Sequence, residues 1–425
     1  MAALEIIKEE IIKEDEEEIV EEEELVFEEE TSESKDSISY LSPFSSSSSL
    51  QLSIPEESIS KLRFDQQLLL YYNHFFPFDL LYRWLSYGSE TTFQNREFAF
   101  WNSSNFFTRY QSFKNEEEFR ETLTHPFQIH GESTVIERME IGPIYRKTPK
   151  QHSIPGVVPM GREFVIDIDM NDYNSVRTCC RDATVCSSCW ILMTIAIKII
   201  NDILRRHLGF RHLLWVFSGR RGVHCWVCDE SAKLLSSEER AAIIQYMSKP
   251  SFPFPPQMYE MYNNILLRYF ETHVLPQQRL FDFPSMRESI LKKLPKSVAS
   301  ALRIAWTTDT HDSCYRWAQL KKTYAASQLK CYSSKISEIV IEYTYPRFDV
   351  KVSEDLNHLL KSPFCVHPKT GFVSIPIDPL HCENFDPLKS VPSLAGLITQ
   401  KEQDLRLFQQ AKEHFYKSLI SPLFL

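Results

Sequence analysis

Residues 163–170 read Glu-Phe-Val-Ile-Asp-Ile-Asp-Met. β-Branched and aromatic residues alternate here with period 2, the pattern of a strand. Phe164, Ile166, Ile168 and Met170 fall on one face, and Val165, Asp167 and Asp169 on the other. The two carboxylates point the same way with their Cα atoms roughly 6.6 Å apart. They repel and cannot neutralise each other, so a cation between them is the natural partner and a divalent metal the usual one. The competing reading is a sheet face on which both simply meet water.

Three further stretches bear on that choice. Ser218-Gly219-Arg220-Arg221-Gly222-Val223-His224 sits where two apolar strand patterns meet. Glycine lets backbone N–H groups approach an anion, and guanidinium forks bind phosphate in pairs; a solvated surface turn would look similar. Tyr345-Pro346-Arg347-Phe348-Asp349-Val350-Lys351-Val352 reads as another strand, with Arg347, Asp349 and Lys351 on one face and Phe348, Val350 and Val352 on the other. Lys361 and His367 follow in a loop. Together these stretches offer three carboxylates for two cations and a basic set for a polyphosphate, which is nucleotidyl transfer by two-metal chemistry. Two such Asp-bearing strands side by side in one sheet would unite Asp167, Asp169 and Asp349.

A second cluster has another chemistry. Cys179, Cys180, Cys186 and Cys189 lie within eleven residues. Four thiols so close suit tetrahedral zinc with no open position, hence a structural site; a reduced loop with chance cysteines is the alternative. Cys225 and Cys228, three apart on a strand, point to opposite faces and do not make a metal pair.

The elements that must position these residues follow from pattern. The chain has 425 residues, 43% of them hydrophobic, long enough for two or three lobes. Residues 1–60 carry 19 acidic residues against 3 lysines, a net charge of −16, and the remainder is mildly basic at +6. That composition predicts a disordered acidic tail, and an acidic start argues against a secretory or transit signal. Ten cysteines do not make a disulfide scaffold. No apolar run reaches the ~18 to 20 residues a membrane span needs; the longest, residues 191–200, is interrupted by Thr194 and Lys198 and reads as a buried helix.

Helices are expected over residues 68–85, broken at Pro77, over 116–123, and over 190–208 with Gly209 as the stop. Strands are expected at 95–100, 107–113, 135–145 with Gly142-Pro143 as a turn, 213–217 and 224–228. Strand, long helix and strand indicate an α/β layer. Residues 233–332 read as a helical insertion, the β pattern resumes at 336–345, 347–352 and 372–377, and a helix over 398–419 closes the chain. The domains expected are thus a tail (1–60), a catalytic α/β domain (61–232 with 333–390), the insertion (233–332) and a C-terminal helical segment (391–425).

Residues 165–172, 179–189, 215–230 and 359–371 closely resemble the small catalytic subunit of archaeo-eukaryotic DNA primase, and the resemblance runs from about residue 68 to 379. The combination of Asp-Ile-Asp, Ser-Gly-Arg-Arg-Gly-Val-His and Lys-Ser-Pro-Phe-x-Val-His-Pro-Lys-Thr-Gly is highly specific. It implies a mixed-sheet catalytic fold with a zinc motif, and RNA primer synthesis on single-stranded DNA from nucleoside triphosphates. It implies that Asp167, Asp169 and Asp349 hold two Mg²⁺ or Mn²⁺ ions, and that the four cysteines hold Zn²⁺. Ser218, Arg220, Arg221, His224, Lys361 and His367 would hold the nucleotide, Glu97 and Arg109 would border it, and His358 would lie near the sugar. A nuclear heterodimer with a large iron–sulfur subunit, in a complex with DNA polymerase α, is implied as well. Glu140 stands where the family pattern has Asp and is left out of the expected site. A non-catalytic nucleic-acid-binding subunit and an Asp-x-Asp glycosyltransferase are the readings of other classes.

Overall fold

The computed structural model describes residues 61–424 apart from 103–105, 130–131, 249, 251–253, 308–309 and 328–331. The expected tail therefore lies outside the described residues. The Asp-x-Asp stretch is a strand, Phe164–Asp169 (β7), with Phe164, Ile166 and Ile168 fully buried and Asp167 and Asp169 partly exposed. Its apolar face rests on the helix Ser187–Asp202, whose buried residues include Trp190, Leu192, Met193, Ile195, Ile197, Ile199 and Ile200. With its last turn this helix spans Ser187–His207; by length and composition it could cross a bilayer, but most of it is buried in the fold, where it serves as the core helix expected from the sequence.

After the helix the chain forms Leu213–Phe217 (β8) and Gly222–Val227 (β9), a hairpin whose second strand also pairs with β7. With Pro376–Ile377 (β11) the order is β11-β8-β9-β7. The α/β layer is present, but every strand pairing is antiparallel, so the sheet is not hydrogen-bonded as a mixed one. The reason is local: β9 enters the gap between β7 and β8 that a helical crossover leaves.

A second sheet carries Arg96–Asn102 (β1), Phe107–Gln111 (β2), Ile136–Tyr145 (β5), Pro159–Gly161 (β6) and Leu360–Lys361 (β10), in the order β10-β5-β1-β2 with β6 also on β5. Phe127–Ile129 (β3) and Glu132–Thr134 (β4) pair separately. The helices Phe64–His74, Phe78–Ser86 and Glu116–Thr124 pack aromatic side chains on this sheet; Phe78, Phe93, Phe98 and Phe119 meet edge-on or tilted at 5.3–5.8 Å. Pro77 is the cap of the second helix, as expected of a break.

Four expectations are corrected. Gly142-Pro143 is not a turn, because β5 runs through it. A Cβ on Gly142 would lie 2.6 Å from Leu359 Cδ2 and 3.1 Å from Glu97 Cβ, so the glycine serves close approach. Residues 336–344 belong to a helix, Tyr332–Thr344, and Tyr345 follows its end. Its buried residues Ile336, Ile339, Val340 and Tyr343 recur at helical spacing, which outweighs the preference of β-branched side chains for strands. Of residues 372–377 only Pro376 and Ile377 form a strand, while Phe372 and Val373 make isolated bridges to Ser393 and Val366. Residues 347–352 are not a strand: Asp349 caps a short helix, Val350–Glu354, its side chain accepting from the Lys351 N–H at 3.2 Å.

Candidate active site

Asp167 and Asp169 project from the end of β7, and the register of β9 sets His224 opposite Asp167 and Gly222 opposite Asp169. His224 Nε2 lies 3.7 Å from Asp167 Oδ1. The β8–β9 loop closes tightly: the Ser218 N–H donates to the Gly222 carbonyl at 2.9 Å, and the Gly222 N–H to Ser218 Oγ at 3.0 Å. Gly219 has φ +88°, and a Cβ there would meet His367, Phe372 and Lys361 at 3.0–3.3 Å, so both conformation and space exclude a side chain. From this loop Arg221 turns back, its Nε donating to Asp169 Oδ1 at 2.8 Å and Oδ2 at 2.7 Å. Arg220 makes no hydrogen bond or ion pair among the described residues.

The second sheet supplies the facing wall. Lys361 on β10 stands opposite Glu140 of β5 and donates to the Ser218 carbonyl at 3.0 Å, which ties the two sheets together. Thr370 Oγ1 donates to the Gly219 carbonyl at 2.7 Å and holds the His367 loop against the same turn. Between the walls is a cavity of about 290 Å³, lined by Asp167, Asp169, Ser218, Arg220, Arg221, His224, His358, Lys361 and His367. Nine residues singled out in the sequence are thus brought to one space. Arg138 and Glu140 line it too, paired at 2.7 Å. Arg138 was not singled out and Glu140 was set aside, although two charged residues alternating along β5 were a legible signal.

Glu97, Arg109 and Asp349 do not line this cavity. Glu97 is fully buried and accepts from Arg109 Nε at 2.9 Å, the Tyr145 hydroxyl at 3.0 Å and the Tyr110 N–H at 3.2 Å. Arg109 also donates to the Asn357 carbonyl at 3.0 Å, next to His358. The pair borders the site through backbone rather than entering it.

Asp349 reaches Asp167 without a shared ladder: its N–H donates to the Asp167 carbonyl at 3.1 Å. The segment is pinned at both ends. Arg347 donates to the Asp172 carbonyl at 2.5 Å and Ser175 Oγ at 3.0 Å, and its N–H to the Tyr173 hydroxyl at 3.1 Å. Buried Arg162 donates to the carbonyls of Val352 and Asp355 at 3.4 and 3.0 Å. Arg162 precedes Glu163, which forms a fully buried two-pronged pair with Arg96 at 2.7 and 2.8 Å. Burial alone would raise the Glu163 carboxyl, but Arg96 and the Tyr87 hydroxyl hold it at about 2. The base of β7 is therefore fixed before its carboxylates are placed.

The electrostatics separate the two walls. Burial, then the charges of Asp169, Asp349 and Asp172, push the Asp167 carboxyl up to about 7. Burial, with Asp169 and Asp349, also raises Asp172. On the facing wall burial lowers Lys361 to about 8, and burial with Lys361 lowers His224, on β9 beside Asp167, to about 3. His367 falls to about 3 through burial, Lys361, Arg220 and Arg138, and His358 falls through burial and Arg162. Neutral histidines beside fixed cations, facing crowded carboxylates, suit a ligand that is anionic at one end and cation-bridged at the other.

The cysteine cluster lies where β7 hands over to the long helix. All four Sγ atoms are within 4.8 Å of one another, with Cys186 3.6 Å from Cys179 and 3.9 Å from Cys189. A tetrahedral zinc thiolate centre sets sulfurs about 3.8 Å apart, so the four thiols fit such an ion. Cys186 caps the helix Ser187–Asp202 and Cys189 sits in its first turn, where the helix dipole favours a thiolate. Hydrogen bonding from Cys179 holds the Cys189 thiol low, and the same pairing followed by burial raises Cys179. Burial and Cys186 push Cys180 to about 11. Gln278 Nε2 donates to Cys179 Sγ at 3.5 Å and Arg177 to Cys189 Sγ at 3.9 Å, the outer contacts that orient ligand sulfurs.

A family model described as DNA primase small subunit matches residues 166–379. The chain is 36% identical over 365 residues to the DNA primase small subunit of Schizosaccharomyces pombe, covering 80% of this chain and 78% of that one. The chain belongs to the DNA primase small-subunit family. Against the DNA primase small subunit of Drosophila melanogaster it is 34% identical over 368 residues, covering 78% and 80%. The archaeal DNA primase small subunit PriS of Thermococcus kodakarensis is 27% identical over 262 residues, covering 60% of this chain and 73% of that one. The primase match contains every cavity residue except Arg138 and Glu140, and all four cysteines. As a primase small subunit the chain is a nucleotidyltransferase that synthesises RNA primers for replication, the activity its motifs implied. The transferase and non-catalytic alternatives fall away.

Proposed function

We propose that the cavity between the two sheets is the nucleotidyl-transfer site, with its carboxylate floor and basic wall dividing the work. Asp167, Asp169 and Asp349 would hold two Mg²⁺ or Mn²⁺ ions, which when bound would favour deprotonation of the 3′-hydroxyl and offset the charge of the departing pyrophosphate. Arg220, Lys361 and the ring N–H groups of His224 and His367 hold the triphosphate, with Ser218 and the glycine-flanked backbone beside it. Arg221, paired with Asp169, spans the boundary between metal and phosphate. His358 stands at the sugar, and the Glu97–Arg109 pair stiffens the rim through Asn357. Cys179, Cys180, Cys186 and Cys189 hold one structural Zn²⁺ that fixes the start of the core helix.

The observation that carries this reading is the pairing of charges in one cavity: an Asp167 carboxyl raised by burial and by its neighbouring aspartates, facing histidines lowered by burial and by Lys361. The template is single-stranded DNA. The partners are a large iron–sulfur subunit, in a heterodimer, and the DNA polymerase α complex, and the site of action is the nucleus. No membrane partner is proposed. The domain division is kept as a proposal as well: tail, split catalytic domain, helical insertion and C-terminal helices. Primer synthesis from ATP on poly(dT) tests the function, with short oligoadenylates expected only when a divalent cation is supplied. A chain that binds ATP and template yet forms no dinucleotide with either Mg²⁺ or Mn²⁺ would overturn it.

A further inference from the structure

One row of side chains leads out of the cavity and has no part in the two-metal scheme. Arg138 of β5 lines the cavity and pairs with Glu140 at 2.7 Å. The register sets Arg138 opposite Trp101 of β1, and Trp101 opposite Phe107 of β2. Contacts follow that register. The Arg138 guanidinium lies 4.8 Å from the centre of the Trp101 ring, and the Trp101 and Phe107 rings stack at 4.5 Å with 28° between their planes. Cross-strand packing alone would account for the pairs, yet Phe107 stays 41% exposed on β2, the edge strand of its sheet. A cation, a ring and a second, open ring in series are the parts of a platform on which unpaired bases stack, the cation serving the backbone.

We propose that Arg138, Trp101 and Phe107 form a shelf on which unpaired bases of the single-stranded DNA template stack beside the site of transfer, an inference that rests on the primase reading. The extent of the shelf selects a polymer over the incoming nucleotide. Trp101 and Phe107 lie outside the cavity lining. Strands are about 4.8 Å apart, so Phe107 stands three spacings, roughly 14 Å across the sheet, from the strand of Lys361. A surface continuing past the pocket that holds one nucleotide serves a chain of them.

The test uses the full-length chain with a fluorescent oligothymidylate, alongside the KM for ATP at saturating template. Phe107→Ala is expected to weaken oligothymidylate binding about 5- to 150-fold, the loss of one stacked base. It should leave the ATP KM and melting temperature near wild type, and the slope of log Kd against log salt unchanged, because no phosphate contact is removed. Trp101→Phe should retain most of the affinity that Trp101→Ala loses. Template affinity of Phe107→Ala within twofold of wild type, or an effect confined to the ATP KM, would overturn the shelf. Primers formed by wild type while all variants bind template equally removes the shelf alone. A wild type that makes no primers but loses template affinity on Phe107→Ala keeps the shelf and removes the primase reading.

Discussion

The two candidate metal sites of this chain are built in opposite ways. The four cysteines come from eleven consecutive residues and are aimed by one helix start, with hydrogen bonds from Arg177 and Gln278 around them. The three aspartates come from segments 180 residues apart. They need a strand, a cap residue and buried arginines to meet, and two of them face an open cavity of about 290 Å³. A local cluster can be closed by spacing alone, which suits an ion that only holds structure. A distributed one must be held by the whole fold, and in return it leaves room for substrate. The same contrast shows in protonation: the thiols share hydrogen bonds within the cluster, whereas Asp167 is raised by burial and then by the charges of neighbouring aspartates.

Removing charge from the open site should break function and spare the fold, and the closed site should behave in reverse. Asp169→Asn keeps volume and removes one carboxylate; primer synthesis on poly(dT) should fall to background while the metal-free melting temperature stays within a few degrees of wild type. The double variant Cys186→Ser, Cys189→Ser should lose its zinc by metal analysis and melt well below wild type, with activity lost only in proportion to unfolded chain. If the cysteine variant stays folded and dead, or the aspartate variant unfolds, the division of labour is wrong.

A smaller effect separates the two arginines of the β8–β9 loop. Arg220→Ala should cost one charge-assisted contact, about 1.5–3 kcal/mol, or roughly ten- to two-hundred-fold in nucleotide affinity, measured by titration. Arg221→Ala should act on metal dependence as well, because Arg221 is paired with Asp169. Equal effects of the two on nucleotide alone would merge their roles.

The smallest effect is that of pH. With its folded pKa at about 7, the Asp167 carboxyl binds a proton more tightly in the folded, metal-free chain than in the unfolded one. Its contribution to stability is therefore complete below about pH 4 and is lost as pH rises through about 7. Cations compete for the same oxygens, so Mn²⁺ affinity should climb between about pH 6 and 8 and level off above. Zinc content should not change over that range. A flat Mn²⁺ profile would mean that Asp167 is already charged in the free site.

Much of this contrast was legible in the sequence, and what was not has physical causes. The alternation around Asp167 and Asp169, the glycine-flanked loop and the cysteine spacing are local signals, and β7, β9 and the core helix follow them. Asp349 misled because Arg-Phe-Asp-Val-Lys-Val alternates like a strand. The segment is instead held by Arg347 and Arg162 through backbone carbonyls, contacts that leave no periodic trace. The same holds for Gly142, whose bare Cα admits Leu359 and Glu97 from distant segments. Arg138 and Glu140 left a trace in their alternation along β5, but what they face follows only from β10 lying beside β5, which sets Lys361 opposite Glu140.

The central claim is that Asp349 shares one metal site with Asp167 and Asp169 although it lies on no strand. Mn²⁺ titration by electron paramagnetic resonance, in the presence of a non-hydrolysable nucleoside triphosphate, tests it most directly. Wild type should bind two ions per chain, and Asp349→Asn should lose at least one or bind it at least tenfold more weakly, with its melting temperature unchanged. Two ions bound by Asp349→Asn at wild-type affinity would contradict the three-carboxylate site and leave Asp349 as a helix cap and nothing more.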